Sequence, residues 1–250
     1  MRNKLIVALD VSTAERALGL FEMLRDHAGM FKIGLQLFTA AGPDIVRHIA
    51  GKGGRVFLDL KFHDIPNTVA QAGVEAARLG VSMFNVHALG GAEMMRRTAE
   101  TVAEAAAREG FGKPRLLAVT VLTSLDRKAL TETRVDAEPE FLVATLAQLA
   151  AESGMDGVVS SPLEVEIVRG AVKKPGFLIV TPGIRPTSAA ADDQKRVTTP
   201  VAALRAGADC IVVGRPILNA PDPVRVADEI VEEMRAAWRQ RLGTGTACER

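Results

Sequence analysis

Eight times along the chain a short apolar run is followed by a segment with helical periodicity, and no other feature limits the possible folds as tightly. The runs are Leu5 to Asp10, Met30 to Leu35, Arg55 to Lys61, Ser82 to Leu89, Leu116 to Leu122, Gly157 to Ser160, Phe177 to Val180 and Cys210 to Val213. The segments between them predict helices near residues 12–26, 38–50, 66–78, 92–108, 140–153, 162–172, 200–206 and 223–241. Ser12-Thr13-Ala14-Glu15 carries a helix-start signal, and Pro66 stands where a first helical turn tolerates proline. Apolar strands alternating with helices require a parallel sheet covered on its outer face, and eight such units predict closure into a (β/α)8 TIM barrel of the α/β class. An open doubly wound sheet is the other architecture, but no Gly-x-Gly-x-x-Gly follows the first strand. Barrels of roughly 200–250 residues form single units, so residues 1–242 read as one domain and residues 243–250 as a flexible C-terminal tail.

A formal net charge of +1 leaves no electrostatic footprint for nucleic acid or an acidic membrane surface. Cys210 and Cys248 do not make a disulfide framework, which fits a reducing cytoplasm. Leu5 to Leu9 is too short for a signal-peptide core, and no stretch approaches the ~18 apolar residues of a membrane span.

The third strand breaks the apolar pattern. In Val56-Phe57-Leu58-Asp59-Leu60-Lys61-Phe62-His63-Asp64, three ionisable groups stand in or just after a segment that otherwise reads as buried. Regular alternation puts Asp59 and Lys61 on one face. An unpaired buried charge costs several kcal/mol or neutralises itself, so Asp59, Lys61 and Asp64 make sense as a mutually compensating set. A structural ion pair alone would add little stability over apolar residues.

Reactive groups of such barrels gather at the C-terminal ends of the strands. Asp10 ends strand one, Lys32 lies within strand two, His87 is near the end of strand four, and Thr123 ends strand five. Each has a plainer alternative. Asp10 and Asp64 could cap helices, Lys32 could reach along the wall to solvent, and His63 and His87 could be hydrogen-bonded structural histidines. After strand seven a long polar connection begins at Thr181-Pro182-Gly183-Ile184-Arg185 and continues past Gln194, which reads as a lid. The ends of strands seven and eight are the habitual phosphate site, where Gly214 and Arg215 meet Arg185 and Gln194. Arginine offers phosphate a planar fork of donors.

These residues together resemble the orotidine 5′-monophosphate decarboxylases over nearly the whole chain. The resemblance rests on Ala8-Leu9-Asp10, Phe31-Lys32-Ile33-Gly34, the run from Asp59 to Thr68, Leu122-Thr123-Ser124, the run from Thr181 to Pro186, Gln194, and Val213-Gly214-Arg215-Pro216. It implies decarboxylation of orotidine 5′-monophosphate to UMP, with no metal and no organic cofactor. Lys61, Asp59, Asp64 and Lys32 would form the catalytic network, with Lys61 as cationic stabiliser and proton donor. Asp10 and Lys32 would bind the ribose, Thr123 the pyrimidine, Gln194 and Arg215 the phosphate, with Arg185 on the closing loop. Gly214 would offer backbone, and Pro182 belongs with the substrate-binding residues. The resemblance also implies a homodimer in which Asp64, Ile65 and Thr68 reach the neighbouring subunit's site. Two other readings use parts of the same pattern. One is a Mg2+-dependent sugar-phosphate decarboxylase or aldolase built on the same Asp-x-Lys-x-x-Asp frame, and the other is a non-catalytic barrel that senses UMP.

Overall fold

The computed structural model describes residues 1–186 and 198–244, with residues 240–244 described by backbone alone. Its strands are β1 (Leu5–Ala8), β2 (Met30–Gly34), β3 (Val56–Phe62), β4 (Met83–His87), β5 (Arg115–Val119), β6 (Gly157–Val159), β7 (Leu178–Thr181) and β8 (Cys210–Val213). Each pairs in parallel with the next, and the ring closes where Leu5, Ile6 and Val7 of β1 meet Ile211, Val212 and Val213 of β8. The eightfold pattern in the sequence is therefore realised as a closed (β/α)8 barrel.

Alternation along the strands makes two separate cores. One set, including Val7, Phe31, Leu58, Phe84, Ala118, Val158, Ile179 and Ile211, faces outward and packs against the helices. The other, including Ile6, Met30, Phe57, Met83, Leu117, Val180 and Val212, fills the inside of the barrel. The outer ring is built from α1 (Ala14–Leu24), α2 (Leu35–Ala41), α3 (Asp44–Gly51), α4 (Pro66–Arg78), α5 (Gly91–Glu109) and α6 (Arg127–Glu132). It continues with α7 (Pro139–Glu152), α8 (Val165–Ala171), α9 (Pro200–Ala206), α10 (Arg215–Leu218) and α11 (Pro223–Thr244). Among the described residues no helix is long and apolar enough to cross a membrane.

Several elements differ from the sequence pattern for identifiable reasons. The single helix expected over residues 38–50 is divided into α2 and α3, because Gly42 takes a left-handed φ of 64° and Pro43 follows it. Glycine at that conformation closes a helix, and proline has no N–H with which to continue one. The connection after β5 contains α6, whose N-terminus is capped by the Asp126 carboxylate accepting the Ala129 N–H at 3.0 Å. Strand β5 stops at Val119, so Thr123 lies in the loop beyond the strand and does not end it. The last helix reaches Thr244, two residues into the segment assigned to the tail, and residues 245–250 lie outside the described part of the chain.

Candidate active site

The C-terminal ends of the strands surround a cavity of about 840 Å3. Of the residues singled out from the sequence, Asp10, Lys32, Asp59, Lys61, Thr123, Pro182, Arg185, Gly214 and Arg215 all line it. Its floor and sides are completed by Ala8, Phe57, Val119, Val159 and Val212. In the closed ring β7 is four strands from β3 in either direction, so Arg185, which follows β7, and the charged end of β3 belong to opposite sides of the mouth.

Asp59 is the centre of the charged group. Its Oδ1 accepts the Lys61 ammonium at 2.7 Å, and its Oδ2 lies 3.3 Å from Lys32 Nζ. Lys32 Nζ in turn donates to Asp10 Oδ1 at 2.8 Å. Asp10, which lies two residues beyond the end of β1 and so does not itself end that strand, thus forms with Lys32, Asp59 and Lys61 one continuous chain of alternating charge at the ends of β1, β2 and β3. Lys32 is only 9% exposed, so it does not reach out to solvent. Nor does Asp10 cap α1, because Thr13 fills that position by accepting the Arg16 N–H.

Burial opposes the charged form of both inner members, and their partners overcome it. Burial works against the Lys32 ammonium, but the negative charges of Asp59 and Asp10 hold its pKa above the ordinary lysine value. Burial likewise opposes the Asp59 carboxylate, while Lys32, Lys61 and the hydrogen bond from Asn85 hold its pKa below the ordinary aspartate value.

Lys61 reaches Asp59 by an irregular route. Simple alternation predicts a shared face, but the β3–β4 register runs from Leu58 opposite Phe84 to Phe62 opposite Val86. Asp59, Leu60 and Lys61 therefore stand against Asn85 alone, and Lys61 adopts a left-handed φ of 51°. A bulge of this kind re-aims a side chain at the cost of local backbone strain, and such outliers concentrate at functional sites.

Four residues contribute that sequence reasoning did not single out for the site. Asn85, fully buried on β4, donates from Nδ2 to Asp59 Oδ1 at 2.7 Å and accepts the Lys61 main-chain N–H at 2.8 Å. Its signal in the sequence is an uncharged polar residue inside the otherwise apolar run Met83-Phe84-Asn85-Val86. A Cβ at Gly34 would lie 2.9 Å from Lys32 Nζ and 3.3 Å from Asp10 Oδ1, so only glycine leaves that ion pair undisturbed. Gln36 and Ser160 also line the cavity, and the buried Ser160 hydroxyl donates to Glu164 Oε2 at 3.1 Å.

Asp64, Ile65 and Thr68 are not brought to the cavity of their own chain. All three are exposed at the start of α4, where Asp64 Oδ1 accepts the Ile65 N–H and Ile65 is 67% exposed. The histidines set aside in the sequence reading stack on one another, His63 on His87, with ring centroids 5.3 Å apart. Burial, followed by the charges of His63 and Lys61, lowers the His87 pKa. Gln194 lies outside the described residues.

A charged chain at the mouth of a barrel, with Arg215 after the adjoining β8 and Arg185 after β7 on the same cavity, is compatible with more than one phosphorylated substrate, and comparison with known proteins narrows the family. Residues 3–230 match the model of the orotidine 5′-phosphate decarboxylase / HUMPS family. The chain is 55% identical over 236 residues to orotidine 5′-phosphate decarboxylase of Pelobacter propionicus, covering 94% of this chain and 96% of that one. The enzyme of the same name from Geobacter sulfurreducens is 53% identical over 235 residues, covering 94% and 97%. Among solved structures, orotidine 5′-phosphate decarboxylase of Lactobacillus acidophilus superposes with a TM-score of 0.81 at 39% identity, covering 92% of this chain and 98% of that one. With the barrel, its charged mouth and a match of this length in agreement, the chain belongs to the orotidine 5′-phosphate decarboxylase / HUMPS family.

Proposed function

We propose that the protein converts orotidine 5′-monophosphate to UMP and CO2, acting in the cytoplasm without a metal or organic cofactor. The observation that carries this reading is the Lys61 ammonium, held 2.7 Å from Asp59 on the wall of a cavity that also contains Arg185 and Arg215. Loss of CO2 from C6 leaves the bonding electron pair on a ring carbon with no adjacent carbonyl to accept it as an enolate. A fixed cation at that carbon stabilises the developing charge, and the same cation then donates the proton that completes UMP. Lys61 performs both tasks and is reprotonated from solvent after the product leaves.

Asp59 faces the departing carboxylate, and its negative charge ceases to be opposed as neutral CO2 forms. Lys32 and Asp10 bind the ribose hydroxyls while holding Asp59 in place. Thr123 and Pro182 border the pyrimidine. Arg215, Arg185, Gln194 and the Gly214 backbone hold the phosphate, whose binding energy organises the charged chain.

The working unit is a homodimer in which Asp64, Ile65 and Thr68 enter the neighbouring subunit's cavity. Their exposure at the start of α4, outside the cavity of their own chain, supports this arrangement. Mixing inactive Lys61→Ala protein with inactive Asp64→Asn protein tests it directly. Random re-pairing makes half the dimers mixed, each with one intact site of two, so roughly a quarter of wild-type activity should return. No recovery under conditions where subunits exchange rules the shared site out.

The reaction is tested by following the loss of orotidylate ultraviolet absorbance with pure protein in the presence and absence of EDTA. Turnover unaffected by EDTA and inhibited by UMP supports the proposal. Absence of turnover overturns it, and turnover abolished by EDTA would require a metal.

A further inference from the structure

We propose that Asn85 is a positioning residue for the reaction: its side-chain amide takes the place of a missing ladder partner and fixes both the backbone of Lys61 and the carboxylate of Asp59. The inference rests on the decarboxylase reading for its kinetic consequences, while its structural content stands on the geometry of β3 and β4.

Between the pairs Leu58–Phe84 and Phe62–Val86, β3 has two more residues than β4. A parallel ladder cannot satisfy that surplus from main chain alone, and the Lys61 N–H would be left buried without a partner. Asn85 Oδ1 accepts it at 2.8 Å. The other end of the same amide donates to Asp59 Oδ1 at 2.7 Å, the oxygen that also accepts the Lys61 ammonium. One planar group therefore ties the main chain of Lys61 to the carboxylate that orients its side chain.

Two facts make this a bracing contact more than incidental packing. Lys61 lies at φ 51°, a conformation that a non-glycine residue keeps only when its surroundings impose it. Asn85 is fully buried and does not line the cavity, so it acts on the reaction through its two neighbours. No apolar residue of similar size supplies both an acceptor and a donor, and leucine there would leave the Lys61 N–H unsatisfied.

The test compares wild-type, Asn85→Ala and Asn85→Asp proteins by kcat, UMP affinity, thermal unfolding and amide hydrogen exchange at Lys61. For Asn85→Ala we expect kcat to fall about 100-fold, as a small misplacement of a reacting group produces, with UMP affinity within about threefold of wild type. The Lys61 amide, protected in wild type, should exchange at least about tenfold faster in this variant, while those of Leu58 and earlier residues of β3 remain protected. Asn85→Asp keeps the acceptor for Lys61 but places a second carboxylate against Asp59. Protonation restores a donor, so its kcat relative to wild type should rise as pH falls.

Unchanged kcat in Asn85→Ala overturns the proposal, as does a parallel fall of kcat, UMP affinity and thermal stability, which marks a merely structural role. If Asn85→Ala does not fold, an Asn85→Asp pH profile parallel to wild type overturns it. Should wild-type protein fail to turn over orotidylate, the decarboxylase reading fails, and exchange at Lys61 still decides the role of Asn85. A freely exchanging Lys61 amide in wild type refutes it.

Discussion

On three neighbouring strands the inside of the barrel changes character within a single side-chain repeat. Along β2 the inward position passes from Met30 to Lys32, along β3 from Phe57 to Asp59, and along β4 from Met83 to Asn85. The lower residues of each pair are among the apolar side chains that fill the barrel, and the upper ones form the hydrogen-bonded charged group. The two layers are held by different physics. Apolar burial is non-directional and tolerates exchange of residues of similar volume. The upper layer depends on distances and on which oxygen faces which donor, and it accepts a strained Lys61 backbone to obtain them. Apolar burial is concentrated in the floor and the charged groups in the rim, so each layer can be perturbed separately.

The strongest way to break this contrast is at Lys61. For Lys61→Ala, loss of both the cationic stabiliser and the proton donor should lower kcat by more than about 10^4-fold while UMP still binds. Single-turnover kinetics with orotidylate and calorimetry with UMP check both halves of the statement. The opposite result belongs to the floor: Met30→Ala should cost about 2–5 kcal/mol of stability in denaturant unfolding, and kcat of the folded protein should stay within about threefold.

After β8, Arg215→Ala tests the proposed charge-assisted contact to phosphate, which would be equivalent to about 1.5–3 kcal/mol. It should reduce kcat/KM with orotidylate by about 10- to 100-fold and leave the unfolding midpoint near wild type. An unchanged kcat/KM would remove Arg215 from the phosphate site.

The pH dependence of stability separates the layers more finely. Asp59 has a folded pKa below its ordinary 3.8, so its contribution is present above that value and disappears as pH falls through the lower folded value. Lys32 has a folded pKa above its ordinary 10.5, so its contribution is present below 10.5 and disappears as pH rises through the higher folded value. Urea unfolding should therefore show the difference between wild type and Asp59→Asn shrinking at acid pH, whereas the Met30→Ala difference stays constant. The smallest effect concerns the backbone. Lys61→Gly should be about 1 kcal/mol more stable than Lys61→Ala, because glycine occupies a left-handed φ without the Cβ penalty.

The floor was far more legible in the sequence than the rim. Strands buried on both faces leave continuous apolar runs, so the eight strands and the closure of the barrel could be read from pattern alone. The charges at Asp10, Lys32, Asp59 and Lys61 stood out because each interrupts or ends such a run, and all four line one cavity. Short helices such as α6 and α10 span too few residues to register a period. The β3 bulge is a property of pairing between two strands, so neither sequence reveals it separately, and Asn85 gains its meaning only from that pairing. Arg185 and Arg215 could be placed at the mouth by following the ends of β7 and β8, and the same position in the barrel points to phosphate independently of any resemblance.

Gly34 has a bearing on how such a site could be altered. The room left by its missing side chain lets Lys32 Nζ and Asp10 Oδ1 sit together, since a methyl there would lie 2.9 Å from the first and 3.3 Å from the second. That vacancy makes residue 34 a tuning position: the spacing of an ion pair can be adjusted there while every ionisable side chain retains its identity. An inherited or engineered Gly34→Ala exchange would thus shift the charged chain without deleting any of its members.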